Sequence, residues 1–164
     1  MQLSTRGRYA VMAMADLATR SSARSVPAAV SLADIAERQQ LSQSYLEQLF
    51  GKLRRAGLVG SARGPGGGYR LARPAAEIAI ADIVAAVDEP TKATRCDAGR
   101  GGCLLSSSPG IGSGQCQTHE LWVELGRQID LFLGGVTLAD VVKGRVGGRA
   151  AGVSPLPADP AGVK

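Results

Sequence analysis

Three cysteines, Cys96, Cys103 and Cys116, and the only histidine, His119, fall within one short stretch of a 164-residue chain. Thiolates and one imidazole gathered this closely form a four-ligand set for a soft metal or an iron–sulfur cluster. The spacing is C-x6-C-x12-C-x2-H, and the intervening residues include Gly99, Gly101, Gly102, Pro109, Gly110, Gly112 and Gly114. A stretch so poor in side chains to bury has little reason to collect these four residues unless something binds them. Zinc sites usually carry a close cysteine pair, C-x2–4-C, which is missing between the cysteines; only Cys116-x2-His119 is that tight. Zinc, three unliganded thiols and a Cys–His nucleophile all stay open on these residues. The segment is too polar to bury free thiols, and no oxyanion or substrate-pocket motif accompanies the pair, which argues against an enzyme.

The elements that must position this set are legible on both sides of it. A first helix starts at Ser4 or Thr5, carries Tyr9, Val11, Met12, Met14, Leu17 and Ala18, and is expected to end in the Ser/Arg segment after Ala18. Ser31 caps a second helix running to about Gln39, with Asp34 three residues on. After a tight Gln39-Gln40-Leu41 turn, Ser42 caps a third helix, Gln43 to Ala56, whose Leu46, Leu49, Phe50 and Leu53 mark one buried face, and Gly57 ends it. Two short extended runs flanking Gly64-Pro65-Gly66-Gly67-Gly68 read as a β-hairpin. Helix, helix–turn–helix and hairpin in that order compose a winged helix–turn–helix, so the fold class is mainly α with a small β-hairpin. A helix from Ile80 to about Val87 follows, then the cysteine stretch. Beyond it lies a long amphipathic helix, Glu120 to about Leu133, with Trp122, Leu125, Ile129 and Phe132 on one stripe suited to dimerisation. Thr137 caps a last short helix, Leu138 to Val142. The expected organisation is a DNA-binding domain at 1–90, a cluster-binding loop at 91–119, the dimerisation and terminal helices at 120–143, and a disordered tail at 144–164.

Charge supports the same division. The formal net charge of +5 is concentrated early: residues 1–73 hold eleven Lys/Arg against four Asp/Glu, whereas residues 74–164 hold eight against ten. A basic first half beside a near-neutral second half is the footprint of a nucleic-acid-binding domain joined to a regulatory part. No apolar run approaches the roughly 18–20 residues of a membrane span, and the first helix lacks a cleavage pattern. A cytoplasmic location with reduced thiols is expected, and an odd number of cysteines argues against a disulfide framework. The third helix opens with Ser42-Gln43-Ser44-Tyr45, hydroxyls and an amide at a helix N-terminus, followed by Glu47 and Gln48; such groups bind phosphates and base edges. Arg63 precedes the glycine tip, where Gly64 and Gly66 let backbone amides approach a phosphate and the guanidinium can enter a minor groove. A nucleotide-binding loop is excluded because GxxxxGK[ST] is absent and the glycines join two strands.

Ser44-Tyr45-Leu46-Glu47-Gln48-Leu49-Phe50, Arg63-Gly64-Pro65-Gly66-Gly67-Gly68-Tyr69, Ala86-Val87-Asp88-Glu89 and the three-Cys, one-His stretch together resemble a bacterial family of winged-helix transcription factors that includes iron–sulfur cluster regulators. The resemblance covers about residues 1–143. It implies a homodimer on promoter DNA, repressing or activating, with a 2Fe–2S cluster held by Cys96, Cys103, Cys116 and His119. It also implies major-groove contacts from Ser42, Ser44, Tyr45 and Gln48, and wing contacts from Arg63. Glu47 matches a residue whose carboxylate repels phosphate and suits a cytosine amino group. Relatives sensing nitric oxide or iron, and a zinc-stabilised module without redox switching, are the alternatives. The Cys103–Cys116 interval is longer than is usual in the family. Closing the longer loop costs little, about 0.6 kcal/mol per doubling of length.

Overall fold

The computed structural model describes residues 5–22, 29–64, 66–87 and 118–146. Cys96, Cys103, Cys116 and the tail beyond 146 lie outside the described residues. Among the described residues are six α-helices, a 3₁₀ turn and a two-stranded hairpin: α1 (Thr5–Ser22), α2 (Leu32–Gln39), α3 (Gln43–Arg55), β1 (Val59–Ala62), β2 (Gly68–Leu71), the turn (Ala75–Glu77), α4 (Ile80–Ala86), α5 (His119–Gly135) and α6 (Leu138–Val142). The winged helix–turn–helix is therefore observed.

Local capping explains most boundaries. The Ser31 side chain accepts from the Asp34 N–H, and that of Ser42 from the Tyr45 N–H, so each satisfies a donor left open at a helix start. Gln40 in the left-handed region (φ 52°, ψ 44°) makes the sharp turn between α2 and α3. Thr137 and Asp140 form a reciprocal capping box on α6. α1 ends at Ser22, inside the Ser/Arg segment expected to close it. Arg20 lies in its last turn, where a cation complements the helix dipole.

The core joins every element. Met14 and Leu17 of α1, Ile35 of α2, Leu46, Phe50 and Leu53 of α3, Ile83 of α4 and Leu138 of α6 are fully buried in one cluster. Burying such side chains stabilises the fold by roughly 1.5–3 kcal/mol each. α1 is the hub, touching α2, α3, α4, α6 and β2. After α5 the chain returns to this hub: Ile80 N–H donates to Val136 O (2.9 Å) and Leu138 N–H to Ile78 O (2.8 Å). Val136 and Leu138 thus belong to the same core as the first helices. Arg145 N–H donates to Asp140 O (2.8 Å) and Val146 packs against the core, so order extends past Gly144, where the tail was expected to start.

Candidate functional site

The exposed face of α3 is built from the inside out. Leu46, Leu49, Phe50 and Leu53 anchor one side of the helix, which leaves Ser42, Gln43, Ser44, Glu47 and Gln48 exposed on the other. The Ser42 and Ser44 hydroxyls lie 2.8 Å apart and share a hydrogen bond at the helix start. Tyr45 is half-buried, its ring meeting that of Tyr9 edge-on (6.1 Å between centroids), so α1 steadies the first turn of α3. Gln43 Nε2 donates to Glu47 Oε1 (3.1 Å).

The wing is fixed to the same helix. β1 and β2 pair antiparallel with Val59 opposite Leu71 and Ala62 opposite Gly68. Val30 forms a one-residue third strand, donating to Tyr69 O (2.9 Å) and accepting from Tyr69 N–H (2.8 Å). The Tyr69 ring stacks edgewise on Phe50 at 4.8 Å, which ties the wing to α3. Gly68 is required here: with φ +152° a Cβ would overlap the Val30 backbone carbonyl. Gly67 N–H closes the tip onto Gly64 O (2.8 Å), and Arg63, Gly64 and Gly66 are exposed on it. Ser42, Ser44, Glu47, Gln48, Arg63, Gly64 and Gly66 are thus solvent-accessible on a tied helix-and-wing unit, with Tyr45 only partly so.

Sequence reasoning missed the clamp that holds the helix–turn–helix to α1. Asp16 receives Arg38 Nε (3.0 Å) and Nη2 (2.6 Å) and Gln39 Nε2 (3.3 Å), one residue before the Gln40 turn. Burial pushes the Asp16 carboxyl up, but hydrogen bonds from Arg38 and Gln39 and the charges of Arg38 and Arg20 outweigh it, leaving the pKa below 3.8. An acidic residue amid the apolar positions of α1 was the available signal. The Tyr9–Tyr45 and Val30–Tyr69 contacts join distant parts of the chain and had no local signal.

Of the four candidate soft ligands, His119 is described. It is half-buried at the first residue of α5, one residue earlier than the expected helix start, so the helix itself carries the imidazole. Three thiols and an imidazole suit an iron–sulfur cluster by their chemistry, and His119 makes no hydrogen bond among the described residues that would compete for it. One turn on, Trp122 Nε1 donates to Thr118 Oγ1 (3.2 Å). α5 packs on α4, yet none of its residues is fully buried. Leu121, Trp122 and Phe132 are exposed and Leu125 and Ile129 half-buried. No helix among the described residues is long and apolar enough to cross a membrane.

Comparison with known proteins agrees with this architecture. A family model described as "Rrf2: Iron-dependent Transcriptional regulator" matches residues 3–144. The chain is 52% identical over 143 residues to the HTH-type transcriptional regulator IscR of Vibrio campbellii, covering 87% of this chain and 78% of that one. It is 50% identical over 142 residues to the Escherichia coli protein of the same name, covering 87% and 80%. Among solved structures, T. potens IscR superposes with TM-score 0.66 at 36% identity, covering 94% of this chain and 93% of that one. CymR, the global cysteine regulator of B. subtilis, gives 0.67 at 31%, covering 87% and 97%. A helix-and-wing surface on a tied core, matched over residues 3–144 by the family model and over 87% of the chain by the curated relatives, places this chain in the Rrf2 family as a DNA-binding transcriptional regulator of the IscR type and not an enzyme.

Proposed function

We propose that this chain works in the cytoplasm as a homodimer whose choice of promoter DNA reports iron–sulfur cluster status, with genes of cluster assembly among its targets. Cys96, Cys103, Cys116 and His119 would hold a 2Fe–2S cluster. The observation that carries this reading is His119 standing at the first residue of α5, so that any group it binds is joined to that helix. The iron-dependent description of the family and the relatives named IscR support it. When bound, the cluster supplies a reversible, redox-sensitive link between the cysteine segment and α5.

The remaining roles belong to the chain's own side chains. His119 contributes a neutral donor where a fourth thiolate would add negative charge, and its release frees the N-terminus of α5. The apolar face of α5 (Trp122, Leu125, Ile129, Phe132) packs against its copy, setting two α3 helices about one DNA turn apart on a pseudo-palindrome. Ser42, Ser44, Tyr45 and Gln48 meet the major groove, and Arg63 with the amides of Gly64 and Gly66 meets the backbone or minor groove beside it. Glu47 refuses phosphate and accepts from a cytosine amino group, so it discriminates between classes of site. Replacing Cys96, Cys103 or Cys116 with Ala is expected to abolish iron and sulfide binding yet leave a folded dimer that binds a subset of DNA sites. Unfolding of these variants, followed by circular dichroism, would instead make the ligands a structural staple.

A further inference from the structure

We propose that Gln43 is a specificity-positioning residue: its side-chain amide orients the Glu47 carboxylate on α3 and thereby sets how sharply Glu47 separates cytosine from other bases. This deepens the reading that Glu47 faces the major groove, and rests on it. Gln43 and Glu47 stand four residues apart on the exposed face of α3, where side chains of one turn meet those of the next. Gln43 Nε2 donates to Glu47 Oε1 at 3.1 Å. Among the described residues, Oε2 of Glu47 has no partner, and no cation pairs with the carboxylate. One oxygen is therefore tethered and the other is presented outward, free to accept from a base-edge amino group.

The chemistry of the tether matters. A Lys or Arg in place of Gln43 would orient the carboxylate but cancel its charge. The neutral amide restricts the carboxylate's rotation while leaving the full negative charge to repel phosphate. A carboxylate on α5 shows the contrast. Glu124 accepts from Arg127 (2.7 Å to each oxygen) and Gln128 (2.6 Å), a charge-compensated arrangement with no outward acceptor role. An untethered Glu47 samples several rotamers and loses part of its directional preference, whereas one held by Gln43 meets the groove already oriented.

The test uses the full-length, anaerobically purified protein and duplexes selected by it from randomised DNA. Two duplexes are compared that differ at the one base pair whose preference changes in Glu47→Ala, one with cytosine and one with thymine. The readout is the ratio of their affinities, which a change in helix stability alone would not move, because it shifts both affinities together. Gln43→Leu is expected to reduce the ratio by about twofold, the scale of a surface pair one turn apart. Gln43→Leu added to Glu47→Ala is expected to change it no further. An unchanged or larger ratio in Gln43→Leu, or a further fall in the double variant, overturns the role of Gln43. If no base pair responds to Glu47→Ala, the major-groove reading of Glu47 fails instead.

Discussion

Asp16 sits where α1 meets the helix–turn–helix. Its carboxylate is 8% exposed and takes three hydrogen bonds from the end of α2, just before the turn that launches α3. A buried carboxylate of this kind is held charged by its partners, and charged hydrogen bonds contribute about 1.5–3 kcal/mol each. Asp16→Asn keeps one acceptor, so a loss of about 1–2 kcal/mol is expected in urea unfolding, with weaker DNA binding as α3 loosens. The folded-state pKa lies below 3.8, so the clamp's contribution is present above that pH and lost as pH falls through the lower folded value. The wild type is therefore expected to lose stability toward the Asp16→Asn level below about pH 4, and a constant difference between the two down to pH 2 would contradict the clamp. At the wing, Arg63→Ala is expected to weaken DNA binding and flatten the slope of log K against log salt by about 0.9, one phosphate-equivalent. An unchanged slope and affinity would remove Arg63 from the interface. How legible these residues were differs for physical reasons. Ser42 and Arg63 announced themselves through motif and neighbours, whereas Asp16, Arg38 and Gln39 meet only because α1 and α2 pack together.

Elements with local determinants were the readable ones. Ser31, Ser42 and Thr137 each cap within three residues, so α2, α3 and α6 could be placed from sequence, as could the hairpin from its glycine tip. The Val30–Tyr69 pairing and the pairing of Ala79 with Thr137 depend on tertiary contact and left no periodic trace. α5 was legible as an amphipathic helix whose apolar stripe is left for a partner, and the structure leaves that stripe incompletely covered. Its apolar residues lie on a helix with no fully buried position, which suits the proposed packing against a second copy. Phe132, 42% exposed, can take a charge without disturbing the monomer's core. Phe132→Asp is expected to give a monomer in sedimentation with unchanged thermal stability of the winged helix and DNA binding at least tenfold weaker. A variant that remains dimeric at micromolar concentration would move the interface elsewhere.

At the scale of the whole molecule, the chain combines a basic helix-and-wing unit with a sequence segment that carries all three cysteines and the one histidine. The charge asymmetry and the four-ligand set were both visible in sequence, and the family match confirms an iron-dependent class of transcriptional regulator. The set itself could be read only by residue type, because three of its members lie outside the described residues and the fourth marks where α5 begins. The proposed coupling has a packed route available to it. α5 packs on α4, and α4 joins the core that also holds α1 and α3, so packing is continuous from the helix that begins at His119 to α3. The most direct test is the visible absorption spectrum of anaerobically purified protein together with iron and sulfide analysis. Two irons and two sulfides per chain with visible charge-transfer bands, both lost in His119→Ala or any of the Cys→Ala variants, are the expected result. A colourless protein carrying stoichiometric zinc would contradict the account.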